Sequence, residues 1–219
     1  GQLAAGVAHE INNPLTTITM YAEALISKLT RPGVDSTDLD KAKRIQEAAD
    51  RILKFARELT SYARPARDRP EVVQVHELLE QALTYCEHSL RTAGVQVERA
   101  FADDVTSLKA VRTNLVQVFV NLVTNACHAM PETGGRIRLL TRRSNGGVEI
   151  HVADNGAGIT EKNLSKIFEP FFTTKAEGKG TGLGLPIVQG IVANHGGTIS
   201  VKSEIGAGTT FVVWLPDAA

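Results

Sequence analysis

Residues 147–159 read GVEIHVADNGAGI, and this stretch decides what kind of fold the chain can adopt. Val148, Ile150 and Val152 alternate with Glu149 and His151, the period of two that belongs to a strand with one buried face. The run stops at Asp154-Asn155-Gly156, a turn sequence. Upstream, GRIRLLTRR (135–143) alternates as well, and Asn145-Gly146-Gly147 between the two runs is a hairpin signal. Downstream, GGTISVKSEIGAGTTFVVWLP (196–216) makes a second hairpin. VVQV (72–75) and GVQVERAF (94–101) add strands, while 75–91, 112–130 and 182–195 read as helices. Strand pairs with segregated helices argue for an α+β layer rather than a doubly wound sheet.

The first part of the chain has a different period. From Asp38 to Arg64, the residues Ala42, Ile45, Ala49, Ile52, Ala56, Leu59 and Ala63 recur at alternating steps of three and four. Val7, Ile11, Leu15, Ile18, Ala22, Leu25 and Leu29 form a matching stripe, with one extra four-step near Pro14. TRPGVDST (30–37) between them supplies a turn and the candidate caps Asp35, Ser36 and Thr37. Two helices cannot enclose a core alone, so the stripes predict a helical hairpin that pairs into a dimeric four-helix bundle. PARDRPE (65–71) is the joint, dividing the chain into residues 1–66 and 67–219.

Composition narrows the function. The 219 residues carry 24 cationic and 24 anionic side chains, so no bulk field favours nucleic acid or an anionic membrane. Cys86 and Cys127, far apart in sequence, form neither a disulfide framework nor a metal site, which fits a reducing, cytoplasmic setting. No apolar run is long enough to span a bilayer. Gly1 begins inside a helical pattern, so the chain is expected to be a piece of a longer protein whose N-terminal sensor or membrane anchor is out of view.

The glycine motifs point to an anionic ligand. GKGTGLGLPIV (178–188) opens a helix, but Lys179 is followed by Gly180 and not by a magnesium-holding hydroxyl, so it is no P-loop. Alternating glycines before a helix still let backbone N–H groups approach a polyphosphate at a positive helix start. DNGAGI (154–159) lacks the further oxygen ligands of an EF-hand, whereas a buried Asp ending a strand can accept from an adenine amino group. IFEPFFTTK (167–175), glycine-free between glycine-rich flanks, reads as a lid. In NLVTNACHAM (121–130), Asn121 and Asn125 stand one helical turn apart, where amide oxygens can complete a magnesium shell. AHEINNPL (8–15) places a proline inside a helix at a cost of about 3 kcal/mol, against the carbonyl of Glu10. His9 lies roughly 200° around that helix from Val7 and Ile11 and faces water, as does Asn13.

Together these motifs resemble the bacterial sensor histidine kinases. His9, Glu10, Asn12, Asn13 and Pro14 resemble the H box, 121–126 the N box, 154–158 the first G box, 168–172 the F box and 180–184 the second G box, in the family's order. The HEINNPL and PFFTTK wording resembles the nitrogen-sensor-like subgroup.

The resemblance implies a dimerization and phosphotransfer hairpin, then an ATP-binding α/β sandwich like that of gyrase and MutL. The implied activity is autophosphorylation of His9 from Mg-ATP and transfer to an Asp of a response regulator, with dephosphorylation of that regulator as a second activity. It implies catalytic roles for His9, Glu10 and Asn13. Nucleotide contacts fall to Asn121, Asn125, His128, Ala129, Asp154, Gly156, Gly158, Ile159, Phe172, Lys175, Lys179, Gly180, Thr181, Gly182, Leu183, Gly184, Leu185 and Thr209, with Mg2+ on Asn125 and Asn121 the second candidate ligand. Two positions depart from the common pattern: His128 stands where many members carry Lys or Arg, and Val111 where many carry Asp. The rival readings are an ATP-hydrolysing conformational protein and a catalytically silent dimerization module. The first would want a Glu to activate water where this chain has Asn121.

Overall fold

The computed structural model describes residues 2–29, 36–63, 69–105, 107–175 and 180–217; within the long helices, the side chains of 2–14, 36, 51, 54–55 and 57–63 fall outside that description. The expected turn at 30–35, with Asp35, and the joint at 64–68 also lie outside the described residues. The chain divides into two compact units: Gly1–Pro65 with Thr174–Leu183, and Ala66–Thr173 with Gly184–Ala219.

The first unit holds two long antiparallel-reading stripes on helices α1 (Gln2–Leu29) and α2 (Ser36–Ala63). α1 continues as α-helix through Pro14, so the lost N–H does not end it. The stripe divides by exposure. Leu15, Ala22, Ala42, Ala49, Leu53 and Ala56 are buried where the helices meet, and the small alanines let the backbones approach closely. The larger Ile18, Leu25, Ile45 and Ile52 stay 43–49% exposed. That is the pattern of half a four-helix bundle, with its bulky seam residues left for a second copy. No described helix is long and apolar enough to cross a membrane.

The second unit is built on a sheet. Its strands are β1 (Glu71–Gln74), β2 (Val95–Phe101), β3 (Ser107–Ala110), β4 (Gly135–Ser144), β5 (Gly147–Asp154), β6 (Thr198–Glu204) and β7 (Gly208–Pro216). Among the described residues, five strands join in the order β2-β4-β5-β7-β6, with β2 parallel to β4 and the other pairs antiparallel. β1 and β3 form a separate two-stranded ribbon. Asn145 and Gly146 have φ of 49° and 71°, the two left-handed residues that a tight hairpin turn requires. The register sets apolar rows across the sheet: Leu139, Val152, Phe211 and Val201 in one, Thr141, Ile150, Val213 and Ile199 in the next.

Helices α3 (Val75–Tyr85), α4 (Glu87–Thr92), α5 (Arg112–Ala129), α6 (Glu161–Leu164) and α7 (Gly184–Asn194) complete the unit. α5 packs between α3 and α7 and touches β5 and β7, burying Leu115, Val118, Phe119, Leu122 and Val123. The expected helix over 75–91 is in fact two. It breaks at Cys86, whose φ and ψ are −93° and 0° and whose N–H bonds both the Ala82 and Leu83 carbonyls. β3 and the single turn α6 carry too few residues to show a period, and the sequence reading passed over both.

Cys86 and Cys127 are free and buried. Burial pushes both thiols up, that of Cys127 to about 11, so neither is poised as a nucleophile. On the sheet, burial works against the Glu149 carboxylate, but hydrogen bonds from Arg142, His151 and Ser144 outweigh it and hold the group at about 2. A depressed carboxylate stabilises the fold above its unfolded pKa and loses that contribution as pH falls toward the folded value. Glu149→Gln should therefore lower the melting temperature at pH 7 and shrink the difference from the parent as pH drops from about 4.5 toward 2, read by melts across that window. The exposed seam gives a second test. Ile45→Asp with Ile52→Asp should convert a dimeric parent to monomer in sedimentation, because charges at a bundle seam go unpaired; a monomeric parent would contradict the half-bundle reading.

Candidate active site

The parity of β5 puts Asp154 where it matters. Val148, Ile150 and Val152 face the helices, and two residues on from Val152 the same face is occupied by Asp154, in a row with Ile137 and Thr209. A carboxylate on a core-facing row must be satisfied locally. Its Oδ1 accepts from the Gly156 N–H at 2.9 Å and the Thr209 N–H at 3.3 Å. Burial raises its pKa from the usual carboxylate range, and those two backbone donors oppose the rise. Among the described contacts both bonds fall on Oδ1, so Oδ2 is the oxygen left to accept from a ligand amino group.

The loop after Asp154 is tied down on three sides. Asn155 Oδ1 accepts from the Arg136 N–H at 2.7 Å, clipping the loop to β4. The Ala157 N–H donates to the Ala129 carbonyl at 2.9 Å, closing the C-terminal end of α5 on it. Ile159 N–H donates to Ser203 Oγ at 2.8 Å, while Ser203 donates to the Gly208 carbonyl and meets Thr209 Oγ1. The Gly206 N–H reaches the Ala157 carbonyl at 3.0 Å. Gly156 and Gly158 are required by these approaches. A Cβ on Gly156 would lie 2.6 Å from the Ala129 carbonyl oxygen, and one on Gly158, at φ +73°, would lie 2.1 Å from that of Glu204.

The N-box helix contributes from the other side. Asn121 Nδ2 donates to the Gly184 carbonyl at 3.3 Å, linking mid-α5 to the first turn of α7. That bond fixes the amide nitrogen toward α7, and Asn125 follows one turn later, half-buried. Amide oxygens on one helix face suit a hard cation that draws its other ligands from phosphate and water, so the donor set fits Mg2+. Among the described residues, no group of three or more His, Cys, Asp or Glu gathers that could hold a metal alone.

Asp154, Gly156, Gly158, Ile159, Thr209 and Ala129 thus come together, and Asn121 joins Gly184. Asn125, Phe172, Leu185 and exposed His128 lie in the same unit. Phe172 N–H closes a turn onto the Glu169 carbonyl, in a run where Phe171 takes φ 68°. Lys175, Gly180, Thr181, Gly182 and Leu183 group with the other unit. There Gly182 has φ +68° and the Leu183 N–H donates to Thr181 Oγ1 at 3.3 Å. Lys179 lies outside the described residues, as do the side chains of His9, Glu10 and Asn13, whose backbone belongs to α1. Sequence reasoning missed Asn155, Ser203 and Gly208. The only sequence trace of the last two is the Gly206–Gly208 turn, which a hairpin explains equally well.

Residues 110–219 match the family described as "Histidine kinase-, DNA gyrase B-, and HSP90-like ATPase", and residues 1–67 match the "His Kinase A (phospho-acceptor) domain". This chain belongs to the sensor histidine kinases. It is 38% identical over 216 residues to the sensor histidine kinase ZraS of Escherichia coli, covering 99% of this chain and 45% of ZraS. Among solved structures, the catalytic domain of histidine kinase ThkA is 31% identical, with a TM-score of 0.62 over 69% of this chain and 97% of that one. ThkA in complex with its response regulator TrrA aligns over 99% of this chain and 61% of that one, at 28% identity and TM-score 0.68. The chain spans less than half the length of ZraS, so it corresponds to the kinase core of such proteins. The expected α+β fold and both kinase domains hold, and neither rival function is favoured. The matches do not single out the nitrogen-sensor-like subgroup.

The two kinds of glycine separate in a mutational test. Gly158→Ala meets backbone and should destabilise the domain by about 2–4 kcal/mol, adding overpacking to the left-handed strain. Gly206→Ala, at φ +76° with nothing within 4 Å, should cost only the strain, about 1–2 kcal/mol. Denaturant unfolding compares them, and equal losses would contradict the clamped loop.

Proposed function

We propose that this kinase core binds Mg-ATP at the Asp154 corner, transfers the γ-phosphoryl group to His9, and passes it to an Asp of a response regulator receiver domain. The observation that carries the reading is a part-buried, backbone-held carboxylate whose second oxygen is left to accept, beside a helix bearing two amides one turn apart. Such an acceptor suits the amino group of adenine. Gly158 and Ile159 bound the base, and Thr209 braces Asp154 from below. Asn121, Asn125, His128 and the N-terminal amides of α7 stand for the phosphates, and the resemblance assigns Lys175, Lys179 and residues 180–185 to the same nucleotide. The amide oxygens of Asn125 and Asn121 would hold Mg2+, which when bound neutralises charge on the transferring phosphates.

In the transfer, a ring nitrogen of His9 attacks the γ-phosphorus. An N–P bond forms, the bond to the bridging oxygen breaks, and ADP leaves. The attacking nitrogen needs its lone pair in line, so Glu10 orients the ring and takes the proton released from it. Asn13, one helical turn beyond His9, cannot act as a base. It holds a water in line with the phosphorylated Asp of the regulator, giving the dephosphorylating activity. The missing base at Asn121 disfavours hydrolysis over transfer. The homodimer forms through the exposed Ile18, Leu25, Ile45 and Ile52 seam, and the ThkA complex with TrrA supports a receiver-domain partner. The chain is the cytoplasmic catalytic part, residues 1–66 for phosphotransfer and 67–219 for nucleotide, and a sensor region precedes it in the whole protein.

The experiment incubates the chain with γ-labelled Mg-ATP. Parent protein should acquire acid-labile, base-stable label, the behaviour of a phosphoramidate. His9→Gln should acquire none and bind nucleotide as the parent does. Asp154→Asn turns an acceptor into a donor facing the adenine amino group, and its ATP affinity should fall about tenfold by calorimetry. Label on His9→Gln, or unchanged affinity in Asp154→Asn, would overturn the respective role.

A further inference from the structure

His195 follows the last residue of α7, and both of its ring nitrogens are engaged. Nδ1 lies 2.8 Å from the Ile191 carbonyl, and the Val111 N–H donates to Nε2 at 3.1 Å. A carbonyl only accepts and a backbone amide only donates. The ring is therefore neutral, with its proton on Nδ1 and its lone pair on Nε2.

Both partners are helix ends. Ile191 is in the last turn of α7, and its carbonyl also accepts from the His195 backbone N–H at 3.2 Å. Val111 is the residue before α5, and no side chain caps that helix; its own carbonyl accepts from Asn114 and Leu115. The imidazole thus joins the end of α7 to the start of α5. At the opposite end of α7, the Asn121 amide donates to the Gly184 carbonyl. The two helices run antiparallel and are bolted at both ends of an 11-residue helix about 16 Å long. The apolar contacts of Pro186, Ile187, Val188, Ile191 and Val192 hold α7 in the core, but apolar burial is non-directional and sets its axial position poorly. The polar bolts set it.

We propose that His195 is a positioning residue of the nucleotide site, a neutral imidazole bridge that fixes α7 axially against α5. It thereby sets where the N-terminal amides of α7 stand relative to Asn121 and Asn125. This rests on the nucleotide reading given above. It assigns His195 no contact with nucleotide, and its effect is expected on nucleotide affinity more than on turnover at saturation.

The test measures binding of a non-hydrolysable ATP analogue with Mg2+ to the full chain by calorimetry, and kcat and KM for self-labelling. His195→Leu removes the acceptor. His195→Gln keeps a carbonyl oxygen near the Nε2 position and an N–H near Ile191. Val111→Pro removes the donor from the other side, and the Val111 φ of −81° already suits proline. The leucine and proline variants should each weaken binding about tenfold and raise KM alike, with kcat within about twofold, since each leaves one half of the same bond unmade. The glutamine variant should stay within about threefold of the parent, and the Leu–Pro double variant should be no weaker than either single one. Parent-like binding by His195→Leu, glutamine as weak as leucine, or additive losses in the double variant would each overturn the bridge. Should His195→Leu fail to fold, Val111→Pro against His195→Gln decides. A parent that does not bind the analogue would overturn the nucleotide reading, and the bridge with it.

Discussion

A carboxylate on the core-facing parity of a strand is the constraint on which the rest of this site depends. Asp154 continues the face of Val148, Ile150 and Val152, so the chain cannot leave β5 without satisfying a part-buried carboxylate. It does so with the Gly156 and Thr209 amides, and that choice fixes two other segments. Thr209 must sit at the start of β7, which brings the β6–β7 turn alongside. Gly156 must lack a side chain, because the Ala129 carbonyl occupies the space a Cβ would need. One polar group therefore gathers the end of β5, the end of α5 and the turn between β6 and β7. A ligand that bonds Oδ2 reads all three at once.

α5 acts as the ruler between the two ends of the site. Its C-terminal carbonyl at Ala129 holds the loop after Asp154, and Asn121, two turns earlier, holds the start of α7. The same helix bears Asn125 between them. A helix buried over much of its circumference and pinned at both ends is a rigid spacer, which phosphoryl transfer needs more than it needs reactive groups. The chemistry that remains falls, in the proposed reading, to His9 on α1, in a unit with its own, separate construction.

How much of this was legible in the sequence varied with the physics. Period-two alternation gave β4, β5, β6 and β7 because each has one buried face, and the three-four steps gave α1 and α2 for the same reason. The division of the stripe into buried alanines and exposed isoleucines was not legible, since it depends on which face meets the partner helix and not on apolarity. The break at Cys86 left no glycine or proline to mark it. Asp154, Gly156, Gly158 and Asn121 were found as motifs, yet the sequence could not say that Asn155 clips β4, that Ser203 receives Ile159, or that His195 bridges to Val111. Those are long-range bonds between residues whose types are ordinary at their positions. Nothing local distinguishes them.

The claim that the Asp154 corner seats the nucleotide is tested most directly by amide hydrogen exchange of the chain with and without a Mg-bound ATP analogue. Binding that bonds Oδ2 should tighten the whole corner, slowing exchange at Gly156, Ala157, Ile159 and Thr209 and in the first turn of α7. The amides of β2 and α4, distant in the sheet and helix order, should exchange as before. Slowed exchange confined to other segments, with calorimetry showing the analogue bound, would contradict the account.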